Sequence, residues 1–130
     1  MDYETLCAYL EGKVGARRDM PFGADTLVFK VLHRMFALVA WQASPLSISL
    51  KADPVDAVIL RNLFDAIRPG YHLNKKHWIT VTLDGSVPNA ELIKMIDESY
   101  ALVVQRMTRA DQALLMLKKL ERLDDDKEAG

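Results

Sequence analysis

An α+β domain built on an antiparallel sheet is the fold class the sequence predicts, and three observations predict it. Apolar and polar residues alternate through three stretches between residues 26 and 51, the period-2 pattern of strands. Stretches with apolar residues three and four apart flank that block on both sides, as helices with one buried face require. The 130 residues are 50% hydrophobic and 27% charged. That suits one globular domain able to bury about two-thirds of its unfolded surface.

The first element is a helix over residues 2–13, with Asp2 as its cap. Tyr3, Leu6, Cys7 and Leu10 share one face, and Gly12 and Gly15 bracket its end. Strands follow. Leu27, Phe29 and Val31 alternate with Thr26, Val28 and Lys30, then Met35, Ala37, Val39 and Trp41 with Arg34, Phe36 and Leu38. A third run, Leu46 to Lys51, alternates with polar partners. Breaks at Leu32-His33 and Ser44-Pro45 predict successive hairpins. Both alternating sets of the first two runs are partly apolar, so the sheet is expected to be covered on both faces. A further short strand fits within residues 17–22.

Asp53 and Pro54 start a second helix. Its expected buried stripe is Leu60, Leu63, Phe64 and Ile67, ending at Pro69-Gly70. A strand over about 77–83 leads to the turn Asp84-Gly85. Pro88 opens a third helix with Leu92, Ile96, Tyr100, Val103 and Met107 inward. Thr108 caps a fourth, with Asp111 in a capping-box-like place and Ala113, Leu114, Leu117 and Leu120 as its stripe. Residues 1–123 read as one domain, and the acidic tail 124–130 is expected to be disordered. The predicted order is α-β-β-β-α-β-α-α, with an optional fourth early strand.

Charge narrows the function classes. The net charge is −1, unlike a binder that is basic throughout. Residues 13–77 nevertheless hold ten Lys/Arg against five Asp, and the remainder seven against thirteen Asp/Glu, which predicts a basic and an acidic face. The single cysteine excludes an internal disulfide framework, the amphipathic N-terminus does not read as a signal peptide, and no apolar run is long enough to span a membrane. A cytoplasmic address is expected.

Chemistry-bearing residues concentrate in GYHLNKKHWITV, residues 70–81. His72 and His77 are spaced unlike a zinc pair and have no carboxylate beside them in sequence. Each ring is instead expected to donate to a nearby carbonyl, bracing the loop together with Asn74. Cys7 sits on an apolar helix stripe and reads as core rather than nucleophile. The glycines form no phosphate cradle. Lys75 and Lys76, beside Tyr71, His72 and Trp78, suit phosphate contact and base stacking, the alternative being a plain surface loop.

The run RPGYHLNKKHWITVTLDGSVPNAELIKMIDESYALV, Arg68 to Val103, resembles the signature half of the MmcQ/YjbR family of small bacterial proteins. Upstream, PFG (21–23), FKV (29–31), MFAL (35–38) and SLKADP (49–54) fall in the family's order. The resemblance spans about residues 1–118 and implies a CyaY-like, or double-wing, α+β sandwich. It also implies a DNA-binding role by analogy with other proteins of that fold. It carries over no catalytic residue, cofactor or metal. Frataxin-like iron handling would need more carboxylates than Asp2, Glu4 and Glu11 on the first helix. Two departures stand out: Leu32-His33 at a hairpin turn where relatives often place small residues, and the acidic C-terminus.

The resulting expectation is a non-enzymatic DNA-binding or regulatory module. Its contacts would come from Lys30, Arg34, Lys51, Arg68, His72, Lys75, Lys76 and Trp78, with His72, Asn74 and His77 as the brace. Double-stranded DNA is the expected partner, for a monomer or weak dimer without membrane attachment. The alternative is an adaptor for a protein or small ligand in which the loop is purely structural.

Overall fold

The computed structural model describes residues 1–129. Four helices, α1 (Tyr3–Glu11), α2 (Pro54–Leu63), α3 (Asn89–Gln105) and α4 (Arg109–Ala129), accompany six strands. The strands are β1 (Ala16–Asp19), β2 (Leu27–Val31), β3 (Arg34–Ala40), β4 (Ser47–Lys51), β5 (Ile67–Pro69) and β6 (Trp78–Thr82). They form one antiparallel sheet in the order β1-β2-β3-β4-β6-β5. The predicted α+β class, the caps and both hairpins are thus observed, and the optional early strand exists as β1.

One face of the sheet makes the core. Leu27, Phe29 and Val31 of β2, Ile48 and Leu50 of β4, and Ile79 and Val81 of β6 pack against Leu6, Cys7 and Leu10 of α1 and Leu92, Ile96 and Val103 of α3. α3 lies across β2, β3 and β4. Asp2 caps α1 by accepting the Thr5 N–H, Asp53 caps α2 by accepting the Val55 N–H, and Thr108 accepts the Asp111 N–H at the start of α4. Among the described residues no helix is long and apolar enough to cross a membrane.

β3 departs from simple alternation. A bulge opposite Phe29 and Lys30 gives β3 one extra residue, and Phe36 turns to the helix side, edge-on to Tyr100 at 5.5 Å. The bulge leaves the Phe36 carbonyl and the Lys51 N–H without a ladder partner. Ser99, fully buried on α3, replaces both: its hydroxyl donates to the Phe36 carbonyl at 2.6 Å and accepts the Lys51 N–H at 2.9 Å.

Four expectations are corrected. α2 stops at Leu63, not at Pro69-Gly70, and residues 67–69 are the edge strand β5. Pro69 disfavours helix for the residue before it and is tolerated on an edge. Leu63 is exposed, while Ile67 is buried as a strand residue. On α4 it is Leu115 that is buried, against Gly15, whereas Leu114, Leu117 and Leu120 are exposed. α4 also runs through 124–129, where disorder was expected, because the helix-favouring Lys127, Glu128 and Ala129 offset three aspartates that favour helix less. The second face is covered as expected, with Val28, Ser49 and Thr80 buried there, although loops around Phe22 and residues 71–73 rather than a helix line the cavity above it.

The Leu32-His33 turn stays short. Leu32 takes a left-handed φ of +56°, held by its N–H on the Gly15 carbonyl and by Arg17, which donates to the Leu32 carbonyl.

Candidate functional site

Backbone contacts build the 70–78 loop. Gly70 donates to the Trp78 carbonyl at 2.9 Å, and a Cβ on Gly70 would lie 2.7 Å from Trp78 Cβ, so only glycine fits. The Tyr71 N–H reaches Thr80 Oγ1 at 3.0 Å. Asn74 is the hinge of the turn: its side-chain oxygen accepts the Lys76 N–H, and its carbonyl accepts those of His77 and Trp78. The His77 carbonyl accepts the Ala52 N–H at 2.8 Å, tying the loop to the end of β4.

Three side chains do not behave as expected. Among the described residues neither the His72 nor the His77 ring makes a hydrogen bond. His77 holds the loop through its backbone, and His72, at φ +58°, lays its ring against Tyr71 with centroids 4.0 Å apart. Lys75 is a structural residue, its ammonium donating to the Gly70 carbonyl at 3.2 Å. Lys76 points no charge at the fold and stays exposed.

Strand register decides which cations meet. Ala16 pairs with Val31, Val31 with Arg34, and Lys51 with Trp78, and Lys51 ends β4 beside the first residues of β3. Lys30, Arg34, Lys51 and Trp78 therefore occupy one end of the sheet, with Lys76 next to it through His77. Lys30 is paired with Asp19 at 3.3 Å. Arg34 and Lys51 have no salt bridge among the described residues. Burial lowers the Lys51 pKa, and the positive charges of Arg106 and Arg34 lower it further. Arg106, the C-cap of α3, is a member of this group that sequence reasoning missed. Asp53, two residues from Lys51, is engaged with the Val55 N–H.

Arg68 and His72 belong elsewhere, at a cavity over the centre of the sheet. Three residues of the DESY motif are structural: Asp97 accepts from Tyr9 and pairs with Lys13, Ser99 fills the bulge, and Tyr100 donates to the Val14 carbonyl. Cys7 is buried, and desolvation raises its pKa, the opposite of an activated nucleophile.

The YjbR family model matches residues 11–102. The chain belongs to the YjbR family. It is 34% identical over 116 residues to YjbR of Escherichia coli (strain K12), covering 89% of this chain and 98% of that protein. With YbdF of Escherichia coli O157:H7 it shares 37% over 92 residues, 71% of this chain and 75% of that one. The Deinococcus radiodurans protein DR2400, with a DUF419 domain, superposes with a TM-score of 0.84 at 41% identity, covering 88% of this chain and 87% of that structure. The six-stranded sheet and its helices are thus the architecture of a solved YjbR-type fold.

Proposed function

We propose that this chain is a non-enzymatic DNA-binding module that seats the phosphate backbone on the basic end of its sheet. The supporting observation is the gathering of Arg34, Lys51 and Arg106 without a carboxylate in salt-bridge range among the described residues. Like charges held together in a chain of net charge −1 raise its free energy unless an outside anion offsets them. Trp78, half-buried and paired with Lys51, offers a ring beside that anion, and exposed Lys76 extends the patch. The double-wing reading of the fold agrees with a sheet that offers one end to a duplex.

The acidic helix end does not oppose this. Asp125 and Glu121 line a groove with Glu11, Gly15 and Ala16 beside β1. Two strand spacings, about 10 Å, separate Ala16 of that groove from Arg34, and three, about 14 Å, separate β1 from Lys51 on β4, both beyond the screening length of about 8 Å at physiological ionic strength.

The test is fluorescence anisotropy with a labelled random-sequence duplex, comparing wild type with Arg34→Glu/Lys76→Glu after circular dichroism shows that both fold. Non-specific binding with a Kd between about 10⁻⁴ and 10⁻⁶ M, weakened in the variant, supports the module. Binding absent, or equal in the two proteins, refutes it.

A further inference from the structure

Register places Val28, Leu38, Ser49, Thr80 and Arg68 in one row across five strands, on the face opposite the helices. Above this row lies a cavity of about 390 Å³, at the small end of the 300–1,000 Å³ range of ligand pockets. Its walls are of two kinds. Phe22, Leu38 and Tyr71 are apolar, and the two aromatic rings stand exposed at the rim. Arg68, Ser49 and Thr80 are polar and are cross-strand neighbours.

The polar end is incomplete. Ser49 and Thr80 are 8% and 2% exposed, and their hydroxyl oxygens are 2.8 Å apart. Thr80 Oγ1 already accepts the Tyr71 N–H. The mutual bond uses one of the two hydroxyl protons, and the other has no acceptor among the described residues. Arg68, one position along the same row, has no carboxylate partner among the described residues. A planar anion with one charge satisfies both: its two oxygens take the guanidinium fork, and one of them also accepts the spare hydroxyl proton.

We propose that this cavity binds a small carboxylic acid with a flat apolar body. Its carboxylate sits on Arg68 and the Ser49–Thr80 pair, and its body lies over Leu38 between Phe22 and Tyr71. A single guanidinium and neutral hydroxyls suit a monoanion better than a dianionic phosphate, for which the site supplies no second fixed cation. The site is separate from the basic end of the sheet, so either proposal stands without the other.

The test is a ¹H–¹⁵N NMR titration of the intact chain with benzoate, phenylacetate and hexanoate as probes. Benzamide serves as the uncharged control and inorganic phosphate as the competing anion. The expected result is saturable shifts of the Tyr71, His72 and Thr80 amides with at least one aromatic carboxylate, at least tenfold weaker in Arg68→Gln and absent with benzamide. Ser49→Ala is expected to weaken binding severalfold while leaving the spectrum folded, which separates loss of the site from loss of structure. No saturable shift with any carboxylate, shifts confined to Lys51 and Trp78, equal affinity for phosphate, or binding unchanged by Arg68→Gln would overturn the assignment.

Discussion

Replacing Ser99 with alanine tests whether one hydroxyl holds the β3 bulge in place. The side chain is fully buried, donates to the Phe36 carbonyl at 2.6 Å and accepts the Lys51 N–H at 2.9 Å. Alanine removes one oxygen and leaves both backbone groups without partners. A buried polar group left unsatisfied costs about 1–3 kcal/mol. The carbonyl belongs near the middle of that range, and the N–H of half-buried Lys51 nearer the bottom. The sum is about 3 kcal/mol, a large share of the 5–15 kcal/mol that holds a typical domain together. For a chain of this size it corresponds to a fall in Tm of roughly 10 °C. Urea unfolding followed by tryptophan fluorescence measures it, with an unchanged m-value showing that stability alone has moved. Ser86→Ala, whose hydroxyl only meets exposed Asp84, is the control, expected to lose about 0.5 kcal/mol or less. A loss below about 1 kcal/mol in Ser99→Ala would refute the reasoning, because the two groups would then have other partners.

Three further perturbations follow from the same geometry. Gly70→Ala sets a Cβ 2.7 Å from Trp78 Cβ and 3.1 Å from its carbonyl oxygen; a strand cannot yield there, so thermal unfolding should show a loss of at least about 2 kcal/mol. Lys75→Met is expected to cost about 0.5–1.5 kcal/mol through its lost bond to the Gly70 carbonyl, while Lys76→Met leaves the urea midpoint within error; equal effects would mean that Lys75 is not structural. At Asp97 burial opposes ionisation, but the bonds from Lys13 and Tyr9 overcome it and hold the pKa below the ordinary carboxylate value. A carboxyl lowered on folding adds stability above its unfolded pKa of about 3.9 and loses it as pH falls through the folded value. Wild type should therefore lose more stability than Asp97→Asn between about pH 5 and 2, as urea midpoints will show; parallel curves would remove Asp97 from the acid response.

What was legible in the sequence was local. Caps at Asp2, Asp53 and Thr108 and the alternation of β2 and β4 depend on neighbours a few residues away, and each appears where the pattern put it. β5 was hidden because 60, 63, 64 and 67 fit a helix stripe as well as they fit a helix followed by an edge strand. The bulge was hidden because its cause, Ser99, lies 63 residues from Phe36. Cations were legible as types but not as neighbours. Lys75 and Lys76 are adjacent in sequence, yet one bonds the backbone and the other faces out. Arg106 joins Arg34 and Lys51 only because α3 ends beside them. The row from Val28 to Arg68 is assembled by strand register, which no single stretch of sequence records.

The salt dependence of duplex binding tests most directly the proposed seating of a phosphate backbone on the basic end of the sheet. If Arg34, Lys51, Lys76 and Arg106 each neutralise one phosphate, log Kobs should fall against log salt with a slope of about −3.6. The Arg34→Glu/Lys76→Glu variant should lose at least about half of that slope. A slope near zero in wild type, or the same slope in both proteins, would contradict the claim and move the partner away from this surface.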